Sequence, residues 1–423
     1  MNLSIQAMGK RAEQAALTLS AVPTDVKNRF LETLSEILIK DMSGILKANA
    51  ADIHEAIPVL SEALVDRLTL NQQRIEGIAA DVRNVAALPD PVGEVFESGV
   101  NRAGLRYEKV RVPVGVIAVI YESRPNVTVD TACLMIKSGN AAILRGGKET
   151  LRTNRAIIEV IRRALEETGL PQDAIQFIDS PDRNLVDQLL HLDEYIDLVI
   201  PRGGAGLHDF CRKNSRIPVI TGGIGICHLF VDKSADQQKS IPLIENAKVQ
   251  RPTVCNALET LLVHRDIAAE FLPKLAQQLA QDKVVFHADA QALAILSAAS
   301  VPNLSVVAAD EAADFDKEWL TLDLSVKVVA DVKEAIEHIR VHSTGHSDGI
   351  LTVDAENAGL FKRAVDSACV YVNSSTRFTD GAQLGLGAEI AISTQPLHVR
   401  GPMALRELTT YKWLITGDYS VRA

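Results

Sequence analysis

A chain of 423 residues is too long for one small hydrophobic core, so two or three domains are expected. Its 47% hydrophobic and 23% charged residues are typical of a soluble globular protein, and no apolar run is long enough to span a bilayer. The net charge of −10 argues against a nucleic-acid partner, because phosphate binding needs a basic surface.

The five cysteines favour a reducing compartment. They are widely spaced and include no Cys-x-x-Cys pair: Cys133, Cys211, Cys227, Cys255 and Cys369. Such spacing is typical of free thiols and not of a disulfide framework or a zinc site. The first ten residues also lack the apolar core of a signal peptide. We therefore expect a cytoplasmic protein that binds a small molecule.

The first 90 residues are predicted to be helical. Apolar residues recur three and four positions apart from Phe30 to Leu38, and a second helical pattern runs from 71 to 85. Apolar and polar residues then alternate from 95 to 112 around a turn at Gly104. This alternation predicts a two-stranded ribbon with its charges on one face.

Strand-like and helix-like segments alternate from Pro113 onward. The segment 114–120 is a nearly continuous apolar strand, as in a parallel sheet that is buried on both faces. A helix at 127–137 and a strand at 141–144 follow, and a strand at 217–220 is predicted near the end of this series. The alternation indicates βαβ units and a doubly wound sheet.

A second α/β segment begins after Asp232 and includes the apolar strand 258–263. The predicted fold is therefore α/β, with two doubly wound domains and a small ribbon. The tail strand, 409–416, is an edge-like strand expected to pair with the ribbon of a partner subunit. The predicted limits are 1–235 for the first domain, 236–395 for the second and 396–423 for a returning segment.

Two glycine-rich loops at predicted strand ends are candidate nucleotide sites. Neither has the G-x-G-x-x-G fingerprint, and Gly146-Gly147-Lys148 lacks the Ser or Thr of a Walker A loop. Arg145 and Lys148 flank two glycines and are able to bind a phosphate. The alternative is a solvated basic turn. Gly203 and Gly204 precede a predicted helix and offer N–H groups to a pyrophosphate, with a plain turn as the alternative.

One cysteine stands at a predicted helix-to-strand junction. Cys255 can be held there at the mouth of a cleft, and thiolates attack acyl carbons well. A buried, inert thiol is the alternative. Asn126 follows Pro125 at another strand end, where its side chain serves as a fixed amide donor or as a helix N-cap.

Other polar residues suggest a substrate site and argue against a metal site. Arg377 lies in a polar loop after a predicted strand, where it is able to meet a substrate carboxylate. His338, His342 and His346 stand at helical spacing, as metal ligands can. Gly345 breaks the helix before His346, so no metal site is predicted.

Six motifs in order resemble the aldehyde dehydrogenase superfamily, and within it the acyl-phosphate-reducing γ-glutamyl phosphate reductases. These motifs are 112–129, 138–150, 200–207, 250–256, 372–381 and 398–403. The resemblance implies an aldehyde-dehydrogenase-like fold and a homo-oligomer assembled through the strands near 97–112 and 405–420. It also implies that Cys255 is the nucleophile, and that Asn126 and the Cys255 N–H form the oxyanion hole.

The resemblance further implies a nicotinamide cofactor. Arg145 falls where the superfamily places a Lys near the adenosine ribose, and Glu318 falls where a Glu contacts the nicotinamide ribose. Relatives that prefer NAD carry a Glu at the position of Lys148, and a cation there favours the 2′-phosphate of NADP(H). Hydrolytic relatives carry a water-activating Glu, whereas the matching run here is Ile220-Thr221-Gly222-Gly223. A thioester on Cys255 is then expected to meet hydride or phosphate instead of water.

The activity implied is the reduction of L-glutamyl 5-phosphate by NADPH, the second step of proline biosynthesis. Arg124 and Arg377 are candidates for binding the substrate carboxylate or phosphate. Another acyl-phosphate-reducing or aldehyde-oxidising family member, a phosphotransferase and a non-catalytic scaffold are the alternatives. Association with glutamate 5-kinase is compatible with this interpretation, and no residue distinguishes a dimer from a tetramer.

Overall fold

Helices fill the first part of the chain, and helices alternate with strands after it. The described residues, 4–222 and 224–422 of a computed structural model, contain the following α-helices: α1 Ile5–Leu19, α2 Thr24–Lys40, α3 Met42–Ala56, α4 Glu62–Leu68, α5 Gln72–Ala87, α6 Asn126–Lys137, α7 Leu151–Glu167, α8 Asn184–Leu190, α9 Ala205–Asn214, α10 Gln237–Val249, α11 Arg265–Leu279, α12 Ala290–Ala298, α13 Val332–His342 and α14 Ala355–Ala364. The first five confirm the helices predicted for the first 90 residues.

The strands of the described residues are β1 Val95–Val100, β2 Arg106–Pro113, β3 Val116–Tyr121, β4 Ala141–Arg145, β5 Ile175–Phe177, β6 Leu198–Arg202, β7 Cys227–Val231, β8 Leu258–His264, β9 Val285–Ala288, β10 Ser305–Ala308, β11 Asp323–Val329, β12 Ser347–Leu351, β13 Cys369–Val372, β14 Ala391–Ser393, β15 Gly401–Met403 and β16 Thr409–Thr416. The sequence also predicts a strand at 217–220, before β7, and this prediction is wrong. Only one bridge, between Val199 and Val219, forms there. Pro218 has no N–H, which prevents a regular ladder at this point.

The chain divides into two compact units. The first unit comprises residues 1–221, 385–391 and 403–423, and the second comprises 222–384 and 392–402. The change at Thr221–Gly222 precedes the predicted limit at 235, and the predicted functional domains stay predictions.

The first unit contains a four-stranded parallel sheet in the order β5-β4-β3-β6. Every residue of β3 is buried, because helices cover both faces of such a sheet. The chain runs from β3 to β4 and β5 on one side and returns to β6 on the other. Ligands of open parallel sheets bind at the carboxyl ends of the strands, at such a change of direction.

A three-stranded antiparallel sheet, in the order β1-β2-β16, also belongs to the first unit. The turn at Gly104 has a φ of +81°, which glycine adopts readily, and it confirms the predicted ribbon. The tail strand β16 is an edge strand, as predicted. It pairs with β2 of its own chain along its whole length, and its predicted pairing with the ribbon of a partner subunit stays a prediction.

The second unit is built on a seven-stranded parallel sheet in the order β10-β9-β11-β8-β7-β12-β13. All seven residues of the central strand β8 are buried. Parallel strands bring their amino ends to one edge of the sheet, so the segments that precede β7, β8 and β11 are neighbours. Among the described residues, no helix combines the length and apolar character needed to cross a bilayer.

Candidate active site

The loop between α10 and β8 holds Cys255 at the amino edge of the second unit's sheet. Cys255 is partly exposed, which contradicts the alternative of a buried cysteine. The next residue, Asn256, is buried, and its amide donates to the carbonyl oxygens of Thr379 (2.8 Å) and Arg377 (3.3 Å). The hydroxyl of Thr376 donates to the Asn256 carbonyl at 2.7 Å. The Cys255 loop is therefore fixed to the segment that follows β13.

Burial distinguishes Cys255 from most of the other thiols. Cys133, Cys211 and Cys227 are buried, and burial raises the pKa of each, to about 11 for Cys211. Cys227 lies beside the candidate nucleophile, where its thiol donates to the Cys255 carbonyl at 3.2 Å. Protonated, buried thiols are poor nucleophiles, so Cys255 is better placed for chemistry than its neighbour.

Gly225 connects the Cys255 loop to Glu318. A Cβ at Gly225 would lie 1.5 Å from the Cys255 carbonyl oxygen, so only glycine fits. The Gly225 N–H donates to the Glu318 carboxylate at 2.9 Å. The structure thus brings two of the predicted site residues together through a glycine whose role the sequence did not reveal.

A buried ion pair lies behind the loop. Lys248 of α10 donates to Glu259 of β8 at 2.6 Å, and both side chains are fully buried. Burial raises the pKa of Glu259 to about 7 and lowers that of Lys248. Glu259 also accepts from the N–H of Leu320 at 3.4 Å. The Leu320 backbone is left-handed, with a φ of +56°, so this bond helps to hold a strained residue next to Glu318.

Arg377 is partly buried in the same region of the second unit. Its Nε donates to the side chain of Gln250 at 3.1 Å. Burial, and then the charge of Arg251, lower the pKa of Arg377. Arg251 and Arg377 are neighbouring cations, and together they favour an anionic ligand. The sequence predicted only Arg377. Arg124, the other predicted substrate residue, is exposed in the first unit.

Asn126 is the first residue of α6, at the carboxyl edge of the first unit's sheet. Its amide donates to the carboxylate of Asp130, one helical turn later, at 2.9 Å. Pro125 occupies the cap position and makes no side-chain cap. The N-cap alternative is therefore wrong, and Asn126 presents an amide donor.

The loop after β4 is closely packed beneath its two cations. Arg145 is partly buried and donates to the carbonyl oxygens of Gly146 (3.0 Å) and Pro181 (3.3 Å), whereas Lys148 is exposed. A Cβ at Gly146 would lie 2.2 Å from Asn154, and one at Gly147 would lie 2.8 Å from Glu149. The burial of Arg145 and the close packing of the glycines contradict the alternative of a plain solvated turn. Lys148 is exposed and is therefore accessible to an anion.

The loop after β6 binds the anionic side chain of Glu122. Gly204 precedes the first turn of α9, and its N–H donates to the carboxylate of Glu122 at 2.9 Å. A Cβ at Gly203 would lie 2.4 Å from the same oxygen. The predicted pyrophosphate position is therefore occupied by Glu122, which the sequence analysis missed. A carboxylate suits this place because the amino end of a helix carries partial positive charge.

The three histidines are divided between a helix and the loop after it. His338 and His342 lie in α13, whereas His346 follows the helix end, as predicted. Burial lowers the pKa of His338 to about 2. Within residues 4–222 and 224–422, no three His, Cys, Asp or Glu side chains are arranged to hold a metal ion.

Comparison with known proteins gives consistent results along the chain. The sequence profile of the aldehyde dehydrogenase family matches residues 4–312. Gamma-glutamyl phosphate reductase from Escherichia coli O6:K15:H31 is 56% identical over 420 residues, which cover 99% of this chain and 100% of the relative. The protein of that name from Psychromonas ingrahamii is 55% identical over 421 residues, with the same coverage.

Solved structures extend the comparison to the fold. The crystal structure of gamma-glutamyl phosphate reductase from Thermotoga maritima has a TM-score of 0.95 and 48% sequence identity, with 100% of both chains covered. An acetylating aldehyde dehydrogenase from Geobacillus thermoglucosidasius has a TM-score of 0.69 at 18% identity, covering 99% of this chain and 97% of that one. The second likeness shows the fold alone, and both agree with the predicted aldehyde-dehydrogenase-like α/β class.

Proposed function

Because the chain belongs to the γ-glutamyl phosphate reductases of the aldehyde dehydrogenase family, we propose that it reduces L-glutamyl 5-phosphate with NADPH. The products are L-glutamate 5-semialdehyde and inorganic phosphate, in the second step of proline biosynthesis. The observation that carries the proposal is the partly exposed residue Cys255 in a loop that neighbouring hydrogen bonds fix in place. This arrangement suits the attack of a thiolate on an acyl carbon.

The reaction proceeds through a thioester on Cys255. The thiolate forms a bond to the acyl carbon, the carbon–oxygen bond to phosphate breaks, and inorganic phosphate leaves. Bound NADPH supplies a hydride for the thioester carbon. The sulfur–carbon bond of the resulting thiohemiacetal then breaks, which releases the aldehyde and restores the thiolate. The oxygen that gains negative charge in each step accepts from the Asn126 amide and the Cys255 N–H, and each donor contributes roughly a hundred- to thousand-fold in rate.

Hydrolysis of the thioester is disfavoured by the segment that precedes β7. Ile220 is buried and stands where hydrolytic relatives carry their water-activating Glu. A Cβ at Gly222 would lie 1.7 Å from the Ile392 carbonyl oxygen, so no side chain fits there. Gly223 lies outside the described residues. The segment Ile220-Thr221-Gly222 therefore has no carboxylate to activate water. This supports reaction of the thioester with hydride or phosphate.

The residues at the carboxyl edge of the first unit fit a dinucleotide. Arg145 and Lys148 provide positive charge for the adenosine ribose and its 2′-phosphate. Gly203 and Gly204 provide a helix start for the pyrophosphate once the Glu122 carboxylate is displaced from the Gly204 N–H. In the second unit, Glu318 is the candidate for the nicotinamide ribose. The family uses a nicotinamide cofactor, and NADPH is our proposal because of the cation at Lys148. Arg124 and Arg377 are the proposed ligands of the substrate's carboxylate and phosphate.

The reverse reaction tests the proposed function. With L-glutamate 5-semialdehyde, NADP⁺ and phosphate, we expect NADPH to accumulate. Arsenate should replace phosphate, and omission of both should stop turnover because water is not activated. Absence of NADPH in the complete mixture would overturn the function, and full activity without an oxyanion acceptor would overturn the thioester's resistance to water.

Replacing Lys148 with glutamate should shift the cofactor preference from NADPH towards NADH. Loss of a charge-assisted bond to the 2′-phosphate should weaken NADPH binding by about 10- to 100-fold, whereas NADH binding should not weaken. Fluorescence titration of each cofactor measures the two affinities. Lys40, exposed at the end of α2, provides the control Lys40→Glu. Equal weakening of both cofactors would show that Lys148 does not recognise the 2′-phosphate.

Replacing Glu122 with glutamine should tighten NADPH binding. Its carboxylate occupies the Gly204 N–H that a pyrophosphate needs, so the anion competes with the cofactor and repels it. Removing the charge should improve the affinity by about 3- to 10-fold. Titration at two salt concentrations measures this effect, with the exposed Glu159→Gln as control. Weaker binding by Glu122→Gln would mean that the carboxylate supports the cofactor instead.

We further propose a cytoplasmic homo-oligomer. Large apolar side chains are exposed along β16, including Tyr411, Trp413, Leu414 and Ile415. Exposed apolar groups on an edge strand are unfavourable in water and favour contact with a second subunit. The five cysteines form no disulfide among the described residues, which agrees with a reducing compartment. Association with glutamate 5-kinase stays a prediction.

A further inference from the structure

Asp130 lies directly beside the amide that we propose for the oxyanion. Both residues belong to α6, and the Asp130 carboxylate accepts from the Asn126 Nδ2 at 2.9 Å. Asp130 as a whole is only partly buried. Within residues 4–222 and 224–422, no Lys, Arg or His forms an ion pair with it. The α6 amino end therefore presents a carboxylate next to a proposed catalytic donor.

The surroundings of Asp130 favour a cationic ligand. Burial raises the pKa of this carboxyl to about 6, and the charge of Asp81 raises it as well. The hydrogen bond from Asn126 and the charge of Arg202 lower it. Burial and a second carboxylate therefore both oppose the negative charge of this group. A cation bound beside Asp130 would relieve both effects.

We propose that Asp130 binds the α-ammonium group of the substrate and thereby selects amino-acid substrates. This inference rests on the proposed function, because Asn126 locates the reacting carbonyl. A carbonyl oxygen bound to the Asn126 Nδ2 lies about 2.9 Å from it, and the Asp130 carboxylate lies 2.9 Å from the same nitrogen. Four bonds separate the reacting carbon of L-glutamyl 5-phosphate from its ammonium nitrogen, a span of roughly 5 Å when extended. The ammonium therefore reaches the carboxylate while the carbonyl contacts the amide.

A purely positioning role for Asp130 makes a different prediction. A residue that only orients the Asn126 amide acts on the oxyanion, which every substrate of the enzyme forms. Its loss would lower kcat for all aldehydes alike. A residue that binds the ammonium affects only substrates that carry one.

The test compares two aldehydes in the reverse reaction with NADP⁺ and phosphate. L-Glutamate 5-semialdehyde carries the ammonium, and 5-oxopentanoate has the same chain without it; their open-chain forms are compared at equal concentration. For Asp130→Asn, we expect kcat/KM for the semialdehyde to fall by about 10- to 100-fold, because a charged hydrogen bond is lost. The value for 5-oxopentanoate should stay within about 2-fold, because that substrate never made the bond and the introduced amide oxygen still accepts from Asn126.

Controls separate this inference from the proposed function and from misfolding. Asp187→Asn, an exposed carboxylate of α8, should leave both values unchanged. Circular dichroism and NADPH titration establish that each variant is folded. An equal loss of kcat with both aldehydes would overturn ammonium binding and favour positioning of Asn126. Wild-type enzyme inactive with the semialdehyde would instead overturn the proposed function itself.

Discussion

Replacing Cys255 with alanine is expected to reduce turnover by at least about 10⁴-fold and to leave NADPH affinity unchanged. The sulfur forms the covalent thioester, and no other group in the proposed mechanism performs that step. Its loop is fixed by backbone and side-chain contacts of Asn256, none of which involves the Cys255 side chain. The variant should therefore fold normally. Steady-state assays in the reverse direction and fluorescence titration of NADPH measure the two quantities.

Cys369 provides the matched control for this experiment. It is also a partly exposed cysteine of the second unit, at the first position of β13. Cys369→Ala should keep near-normal activity because the proposed mechanism does not use this thiol. If Cys255→Ala retained substantial activity, or if Cys369→Ala lost it, the assignment of the nucleophile would be wrong.

Replacing Lys248 with methionine is expected to lower the free energy of unfolding by about 3–5 kcal/mol. The change leaves Glu259 buried without its cation, since both side chains of the pair are fully buried. Glu259 also accepts from the Leu320 N–H, so the segment that carries Glu318 should loosen as well. Urea unfolding, followed by circular dichroism, measures the stability. The double variant Lys248→Met, Glu259→Leu should recover most of it, because no unpaired buried charge remains.

An exposed pair of the same chemistry is the control. Lys274 and Glu270 form an ion pair on the surface of α11, and Lys274→Met should cause no clear loss because water screens that pair. Equal effects of the two lysine variants would contradict the expected dependence on burial.

The instability of Lys248→Met should increase with pH. In the native protein, burial already raises the pKa of Glu259 to about 7, compared with about 4.3 in an unfolded chain. Loss of the Lys248 charge raises the folded value further, because that charge lowers it. A raised folded pKa means that the folded state binds more protons, so stability falls as pH rises above the unfolded value. Unfolding at pH 5 and pH 8 should show the larger loss at pH 8.

Some site features missed in the sequence had a local signal. Asn126 and Asp130 are four residues apart on a predicted helix, a spacing that places two side chains on the same face. Glu259 is a single charge inside the apolar run 258–263, which indicates a buried partner. Lys248, in the preceding helix, was a reasonable candidate for that partner. These two pairs were therefore accessible to sequence analysis in principle.

Other features depend on residues that are far apart along the chain. Glu122 meets Gly204 across 82 positions, and Gly225 meets Glu318 across 93. No pattern in either segment indicates its partner. The same applies to β16, whose pairing with β2 joins residues about 300 positions apart, as in the contact of Arg111 with Thr409 at a separation of 298.

Local chemistry accounts for what could be predicted without a structure. The alternation of strands and helices, the ribbon turn at Gly104 and the candidate nucleophile Cys255 follow from hydrophobic periodicity, backbone preference and residue type. Packing decides the rest, because parallel strands bring together loops that the sequence keeps apart. The close approach at Gly225 and the carboxylate at the α9 amino end each required the tertiary fold, since each is a contact between separate elements.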